Sequence, residues 1–316
     1  MPALYNIYLI NRMWFKNLTL YRFTETFNLN AASLQQKLEK LPFRPCGTHE
    51  LFSYGWTSPQ AQNPTQLVHD SNGFLLLCAK KQEKVLPTAV INELASERIQ
   101  ETEQQQTRKL ANKEKTEIKE QIIFELLPKA FTFSKRTFAY IDPKGGWIIV
   151  DSASAKKAEE LLSHLRKTLG SLPLVPLHSA ENPASVMTRW LLGNHVPGDL
   201  CIEDECELRS QEETAAIIRC KRHDLTLPEI KNHLDNGKQV SKLALSWADR
   251  LAFILDDQLA VKRLRFLDLI QDQVAEFEAS DAAAQFNADF SIMSMELAGF
   301  LPRLLELFGG ESQANG

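Results

Sequence analysis

The chain of 316 residues has no apolar run near the roughly 18 residues that a membrane-spanning helix requires. Its hydrophobic residues are therefore expected to build a water-soluble core. Cysteine is sparse: Cys46, Cys78, Cys201, Cys206 and Cys220 form no CxxC pair and no paired spacing. That pattern points to a reduced cytosolic chain rather than a disulfide scaffold. The seven histidines are scattered, without HExxH or any other metal-ligand spacing. No P-loop and no GxGxxG occurs, so no nucleotide site is implied. Ser154 and Lys157 satisfy S-x-x-K, but the SDN and KTG partners of serine acyl-enzymes are missing. Asp256-Asp257 is better explained as a turn than as a metal pair. The expectation is a protein with no catalytic residues, no cofactor and no metal.

Basic charge is unevenly spread. The formal net charge is −4, yet from residue 267 onward nine acidic residues accompany one basic residue, Arg303. The other 266 residues then hold 35 basic and 31 acidic side chains, a balance of +4. Cations gather between Arg108 and Arg136, at Arg219, Lys221 and Arg222, and at Lys262, Arg263 and Arg265. Such asymmetry suggests a basic surface set against an acidic tail or face. On charge distribution alone, ordinary solvated surface is the simpler account.

The elements read as α+β: antiparallel sheets with flanking helices and one long helical arm. Strands are expected over Trp14–Phe23, Phe74–Ala79, Thr137–Ile141 and Ala216–Lys221. A meander is expected over Val240–Trp247, Leu251–Leu255 and Leu259–Phe266. Helices are expected over Ala32–Leu41 and Phe290–Phe308. Thr226-x-x-Glu229 reads as a capping box opening a helix through Leu234. Glycine and proline are absent from Thr88 to Leu127, which predicts one helix of about 40 residues or two with a break. On one continuous helix, Arg108, Lys115 and Lys119 would form a basic stripe, because spacings of 7 and 4 keep them within about 20° of the direction of Arg108. Trp147–Val150 is an apolar strand. Ser152 or Ser154 can cap the next helix, whose buried face is Ala158, Leu161, Leu162, Leu165 and Leu169. Gly170 stops it, and Leu174–Leu177 forms a second strand.

This strand–helix–strand string, WIIVDSASAKKAEELLSHLRKTLGSLPLVPL at 147–177, closely resembles the recombination-associated RdgC family of bacteria. MWFKNLTLYR at 13–22, KKQEKVLP at 80–87 and ELLPKAF at 125–131 match the same family, and RCKRHDLT at 219–226 matches with changes. The resemblance runs from Met13 onward, so the organisation is one module at 13–316 with an arm at about 88–127. The leader 1–12 stands outside it. With no basic n-region and no small-residue cleavage site, that leader does not read as a signal peptide.

The resemblance implies a homodimer closed into a ring around double-stranded DNA, bound without sequence preference. It also implies a cytoplasmic, nucleoid-associated protein that limits access of the recombinase RecA to DNA. Candidate phosphate contacts are Arg108, Lys115, Lys119, Lys129, Lys135, Arg136, Arg219, Lys221, Arg222, Arg263 and Arg265. In a regular strand Arg219 and Lys221 share one face, Arg222 lies on the other, and Arg263 and Arg265 share a face. The family commonly has Gln or Lys at 222 and 223, so the positive charge is kept at Arg222 while His223 departs from the pattern. Phe131 could stack on bases, plug a pocket on a partner subunit, or lie in the core; the resemblance implies the subunit contact. The alternative to DNA binding is a protein–protein adaptor whose long Glu/Lys/Gln helix forms a coiled coil.

Overall fold

The computed structural model describes residues 13–60, 62–193, 195–210, 212, 216–275 and 281–312. The leader 1–12 lies outside the described residues. Two antiparallel sheets form the frame. The first contains β1 (Thr19–Phe23), β2 (Phe52–Thr57), β3 (Val68–Ser71), β4 (Phe74–Lys84), β5 (Thr132–Asp142), β6 (Trp147–Val150) and β7 (Leu174–Pro176). Its order is β2-β4-β5-β6-β1-β7, with β3 beside β2 on the same edge of the long strand β4. The second contains β8 (Leu200–Arg209), β9 (Ile217–Lys221), β10 (Gln239–Trp247), β11 (Leu251–Asp256) and β12 (Val261–Phe266), ordered β12-β11-β10-β8-β9. The helices are α1 (Ala31–Leu38), α2 (Thr88–Gln106), α3 (Asn112–Leu126), α4 (Ala155–Leu169), α5 (Pro183–Leu191), α6 (Pro228–Asp235), α7 (Asp268–Ala275) and α8 (Ala282–Leu307). The expected α+β class is the one observed.

The expected strand–helix–strand unit is present. Every residue of β6 is buried, as its apolar run requires. Ser154 occupies the N-cap position of α4 but makes no side-chain cap bond; Ser152 closes the preceding turn by accepting from the Ser154 amide at 3.1 Å. Ala158, Leu161, Leu162 and Leu165 are buried, and Gly170 ends the helix at φ 88°. Both β6 and β7 run antiparallel to β1, which lies between them, so the unit is a split βαβ.

Apolar residues alternate along β4 and feed two cores. Leu75, Leu77 and Ala79 face α1 and α4, whereas Leu76 faces the core shared with the second sheet and α8. Helix α8 joins the sheets. Phe290 packs edge-on against Tyr140 of β5, and Phe300 packs against Trp247 and Phe253 of the second sheet.

The predicted strand Trp14–Phe23 is divided. Only Thr19–Phe23 enters the first sheet. The preceding residues run beside β12, where the Leu18 amide donates to the Val261 carbonyl at 2.7 Å and the Leu264 amide to the Lys16 carbonyl at 2.8 Å. Asp151 fixes the crossover, accepting from the Lys16 and Asn17 amides at 3.1 and 2.9 Å. One segment thus serves both sheets, which a uniform apolar pattern cannot disclose.

The chain between Thr88 and Leu127 takes the broken form. Thr107 adopts a left-handed conformation at φ 52°, ending α2, and α3 folds back along it. The result is a helical hairpin, with Ala95, Leu110 and Ile122 buried. Arg98 of α2 clasps Glu125 of α3 with two bonds of 3.0 Å. Thr226 does not form the expected capping box. Its amide and hydroxyl both bind Asp224, while Glu229 pairs with His223 at 2.6 Å, and α6 starts directly at Pro228.

Candidate nucleic-acid interface

The candidate cations fall into three groups. The first lies on the hairpin and is paired within it. Arg108 sits in the turn between α2 and α3, outside any helix, so the continuous stripe with Lys115 and Lys119 does not exist. Its guanidinium grips Glu114 at 2.9 and 2.5 Å and holds that carboxyl down at about 2, helped by the Ala111 amide. Lys115 and Lys109 meet Glu103 at 3.4 and 3.1 Å, and Lys119 donates to Asn92 at 3.2 Å. These contacts are solvent-exposed, so water and salt screen each of them strongly. Together they set the hairpin's register and pair these cations within it.

The second group lies on the solvent face of the second sheet. Arg219, Lys221, Arg263 and Arg265 are brought together there, joined by Lys16 and Lys242, which the sequence reasoning missed. Two adjoining hollows of about 660 and 140 Å³ share Glu205, Ile254 and Arg263 in their walls. Six cations and four carboxylates line them, a surplus of two positive charges. The charges alternate across the strands. Arg219 on β9 donates to Glu207 on β8 at 2.8 Å, Lys242 on β10 reaches the same carboxylate at 2.9 Å, and Asp256 on β11 pairs with Lys262 on β12 at 2.7 Å. Glu205 bridges Lys221 at 3.7 Å and Arg263 at 2.5 Å. Asp256 also accepts from the Gln258 and Ala260 amides, so Asp256-Asp257 is a turn, as expected.

Strand alternation fails at two expected places. Arg222 lies beyond the end of β9 at φ 52°, so its side chain is not set by the strand period. Arg263 has φ 50° at a register shift between β11 and β12, so it does not alternate with Arg265 in the regular way.

Glu207 is the anchor of this face, being only 4% exposed. Burial pushes its carboxyl up, but hydrogen bonds from Arg219, Lys242 and Ser241 outweigh that and hold it at about 2. Its folded value is thus below the unfolded value near 4.5, so the stability it contributes is complete above about pH 4.5 and lost as pH falls towards 2. We expect Glu207→Gln to flatten the acid limb of a pH-stability curve in that window. An acid limb identical to that of the parent chain would contradict this role.

The third group lies where β4 and β5 extend past the core. Lys80 stands directly opposite Arg136, and Lys81 opposite Lys135. Like charges facing across a ladder are destabilising. Lys81 is neutralised by Glu83 at 3.0 Å and Glu160 at 2.8 Å. Lys80 and Arg136 have no carboxylate partner among the described residues; the Lys80 ammonium rests 4.4 Å above the Phe43 ring. Gly55 permits this arrangement, since a Cβ there would lie 2.5 Å from the Phe43 Cα. Exposed Lys129 and Lys135 lie near the same end of the ladder, Lys135 5.1 Å above the Phe133 ring. Lys80 sits in the string KKQEKVLP, but only the register discloses its partner.

Phe131 joins this end of the structure to the hairpin. It is 85% exposed, and its carbonyl accepts from the Val85 amide at 2.8 Å. The core reading is thereby removed. Leu51, Phe52, Val85, Phe124 and Phe133 are also exposed at this end of the molecule.

Such a chain is an α+β protein with two cation-rich faces, and comparison with known proteins places it further. The family model described as "Putative exonuclease, RdgC" matches residues 13–311. The "Recombination-associated protein RdgC" of Tolumonas auensis is 48% identical over 299 residues, 95% of this chain and 99% of that one. The protein of the same name in Pseudomonas aeruginosa is 47% identical over 305 residues, 96% and 100% of the two chains. That of Aeromonas hydrophila is 44% identical over 302 residues, again 96% and 100%. The chain belongs to the RdgC family, a recombination-associated family. Among the described residues, no group of three or more His, Cys, Asp or Glu is placed to hold a metal ion, and no helix is long and apolar enough to cross a membrane.

Proposed function

We propose that the chain binds double-stranded DNA through its phosphates, without sequence readout, as a homodimer closed into a ring. By occupying DNA it limits access of the recombinase RecA, and it works at the bacterial nucleoid in the cytoplasm. The observation that carries this reading is the opposed pair Lys80–Arg136. An unneutralised like-charge pair costs stability, and a polyanion offsets that cost when it binds. The cation-rich face with Arg219, Lys221, Lys242, Arg263 and Arg265 supplies a second contact surface, partly screened by its own carboxylates. No catalytic residue is assigned, and linear duplex incubated with Mg²⁺ is expected to keep its length. The hairpin form of α2 and α3 weakens the coiled-coil adaptor reading, because each helix already packs on the other.

The test is a binding titration on unrelated duplexes at several salt concentrations. Affinity is expected to be the same for each sequence. It should fall with salt at a log–log slope of about −0.9 per phosphate contacted. A slope near zero, or strong preference for one duplex, would refute the reading.

A further inference from the structure

The register of the second sheet places two cysteines directly opposite one another: Cys206 on β8 faces Cys220 on the edge strand β9. Their separation follows from the ladder. The Ser210 amide donates to the Ala216 carbonyl at 3.0 Å. In an antiparallel pair, hydrogen-bonded and non-hydrogen-bonded positions alternate. Counting back by twos, 208–218 and then 206–220 belong to the hydrogen-bonded class, with no register shift between them. Facing Cα atoms in that class are about 5.5 Å apart. The Cα separation lies within the usual disulfide range, and the Cβ separation of facing residues, about 4.5–5.5 Å, meets that range at its upper edge, so closing the bond draws β9 towards β8. Both side chains point to the same core: Cys206 is buried there, and Cys220 packs against it while half-exposed. No other cysteine stands opposite a second one in either sheet.

We propose that Cys206 and Cys220 form a reversible oxidation site, whose disulfide pins the edge strand β9 to β8. The oxidant class is a peroxide. The sulfur of Cys220, the less buried of the two residues, attacks one peroxide oxygen; the O–O bond breaks, water leaves, and Cys220 becomes a sulfenic acid. The Cys206 sulfur then attacks the Cys220 sulfur; the S–O bond breaks, a second water leaves, and the S–S bond forms. Two thiols have lost two electrons and two protons, and hydrogen peroxide has become two waters. Burial, and then the neighbouring Cys220 thiol, push the Cys206 thiol up, so the buried Cys206 acts second. The disulfide lies on the reverse of the strand whose outward residues are Arg219 and Lys221. Oxidation would therefore fix both cations in place without touching either.

The test needs no DNA, so its failure is separate from failure of the binding proposal. The full chain is treated with hydrogen peroxide, then digested without reduction and mapped by mass spectrometry. The expected result is loss of two of the five free thiols, a cross-linked pair of peptides joining 206 to 220, and reversal by dithiothreitol. Amide exchange in β9 should slow on oxidation. Cys220→Ser should abolish the cross-link and leave Cys206 alkylatable. Because that residue lies on an edge strand, the variant decides the matter even if Cys206→Ser fails to fold. Cys201→Ser should change nothing. Recovery of Cys220 as sulfinic acid with Cys206 still reduced, or unchanged exchange in β9, would overturn the proposal.

Discussion

Replacing Arg136 with glutamate is expected to make the folded chain more stable and its DNA binding weaker at once. The two effects have one cause. Arg136 stands across the ladder from Lys80, and neither cation has a carboxylate partner among the described residues. Glutamate at 136 converts a repulsive cross-strand pair into an attractive one, a gain of roughly 0.2–1 kcal/mol. The same change removes a phosphate contact and presents a carboxylate to the DNA. The salt slope should then fall by about one, and affinity at moderate salt about tenfold or more. Urea unfolding and fluorescence anisotropy on one preparation read both quantities. Arg108→Glu is the contrast: it breaks the clasp with Glu114 and should cost a little stability, with little change in binding. If Arg136→Glu destabilised the fold and left DNA affinity intact, the opposed pair would have a structural purpose.

Fold class and several elements were legible because their causes are local. The β6-α4-β7 unit follows from an apolar run, a helical face and Gly170, all within 31 residues of sequence. The meander β10-β11-β12 follows from short apolar runs with tight turns. Strand β8 was not legible. Its sequence LCIEDECELR reads as polar and acidic, and it becomes a strand because cations on β9, β10 and β12 neutralise it from either side. Strand β2 was missed because Gly55 interrupts the strand pattern, for a reason visible only when Phe43 is seen packed over it.

The site was legible as composition and illegible as geometry. The candidate cations are visible as residue types, but only the fold shows which of them are paired with carboxylates. Arg108, Lys115 and Lys119 are engaged on the hairpin, whereas Lys80, absent from the expected set, has no carboxylate partner among the described residues. Arg303 shows the same limit. By sequence it is a lone cation in an acidic tail; in the structure it holds Asp199 with bonds of 2.8 and 3.0 Å and keeps that carboxyl near 2. It joins α8 to the segment before β8, so reversing its charge would disturb the fold.

Phe131→Ser is expected to leave the monomer as stable as before and to break the assembly. At 85% exposure the ring contributes little to the core, so its removal should move the unfolding midpoint hardly at all. The exposed apolar residues at this end, with Phe52 and Phe133 each in register with Glu83 of β4, form the kind of surface that marks a protein contact. Truncating a buried aromatic anchor typically costs about 2 kcal/mol or more, which corresponds to a dimer about 30-fold weaker. Sedimentation at low micromolar concentration should show the shift. The ring proposal adds a sharper consequence. A closed dimer cannot slide off a circle, so the parent protein should survive a salt challenge longer on closed circular DNA than on the same DNA linearised. Phe131→Ser should erase that difference while preserving affinity for short duplexes, because its cations are intact. An unchanged dimer with unchanged retention on circles would remove Phe131 from the subunit contact. An altered dimer with no topological difference even in the parent protein would leave the contact standing and refute the ring.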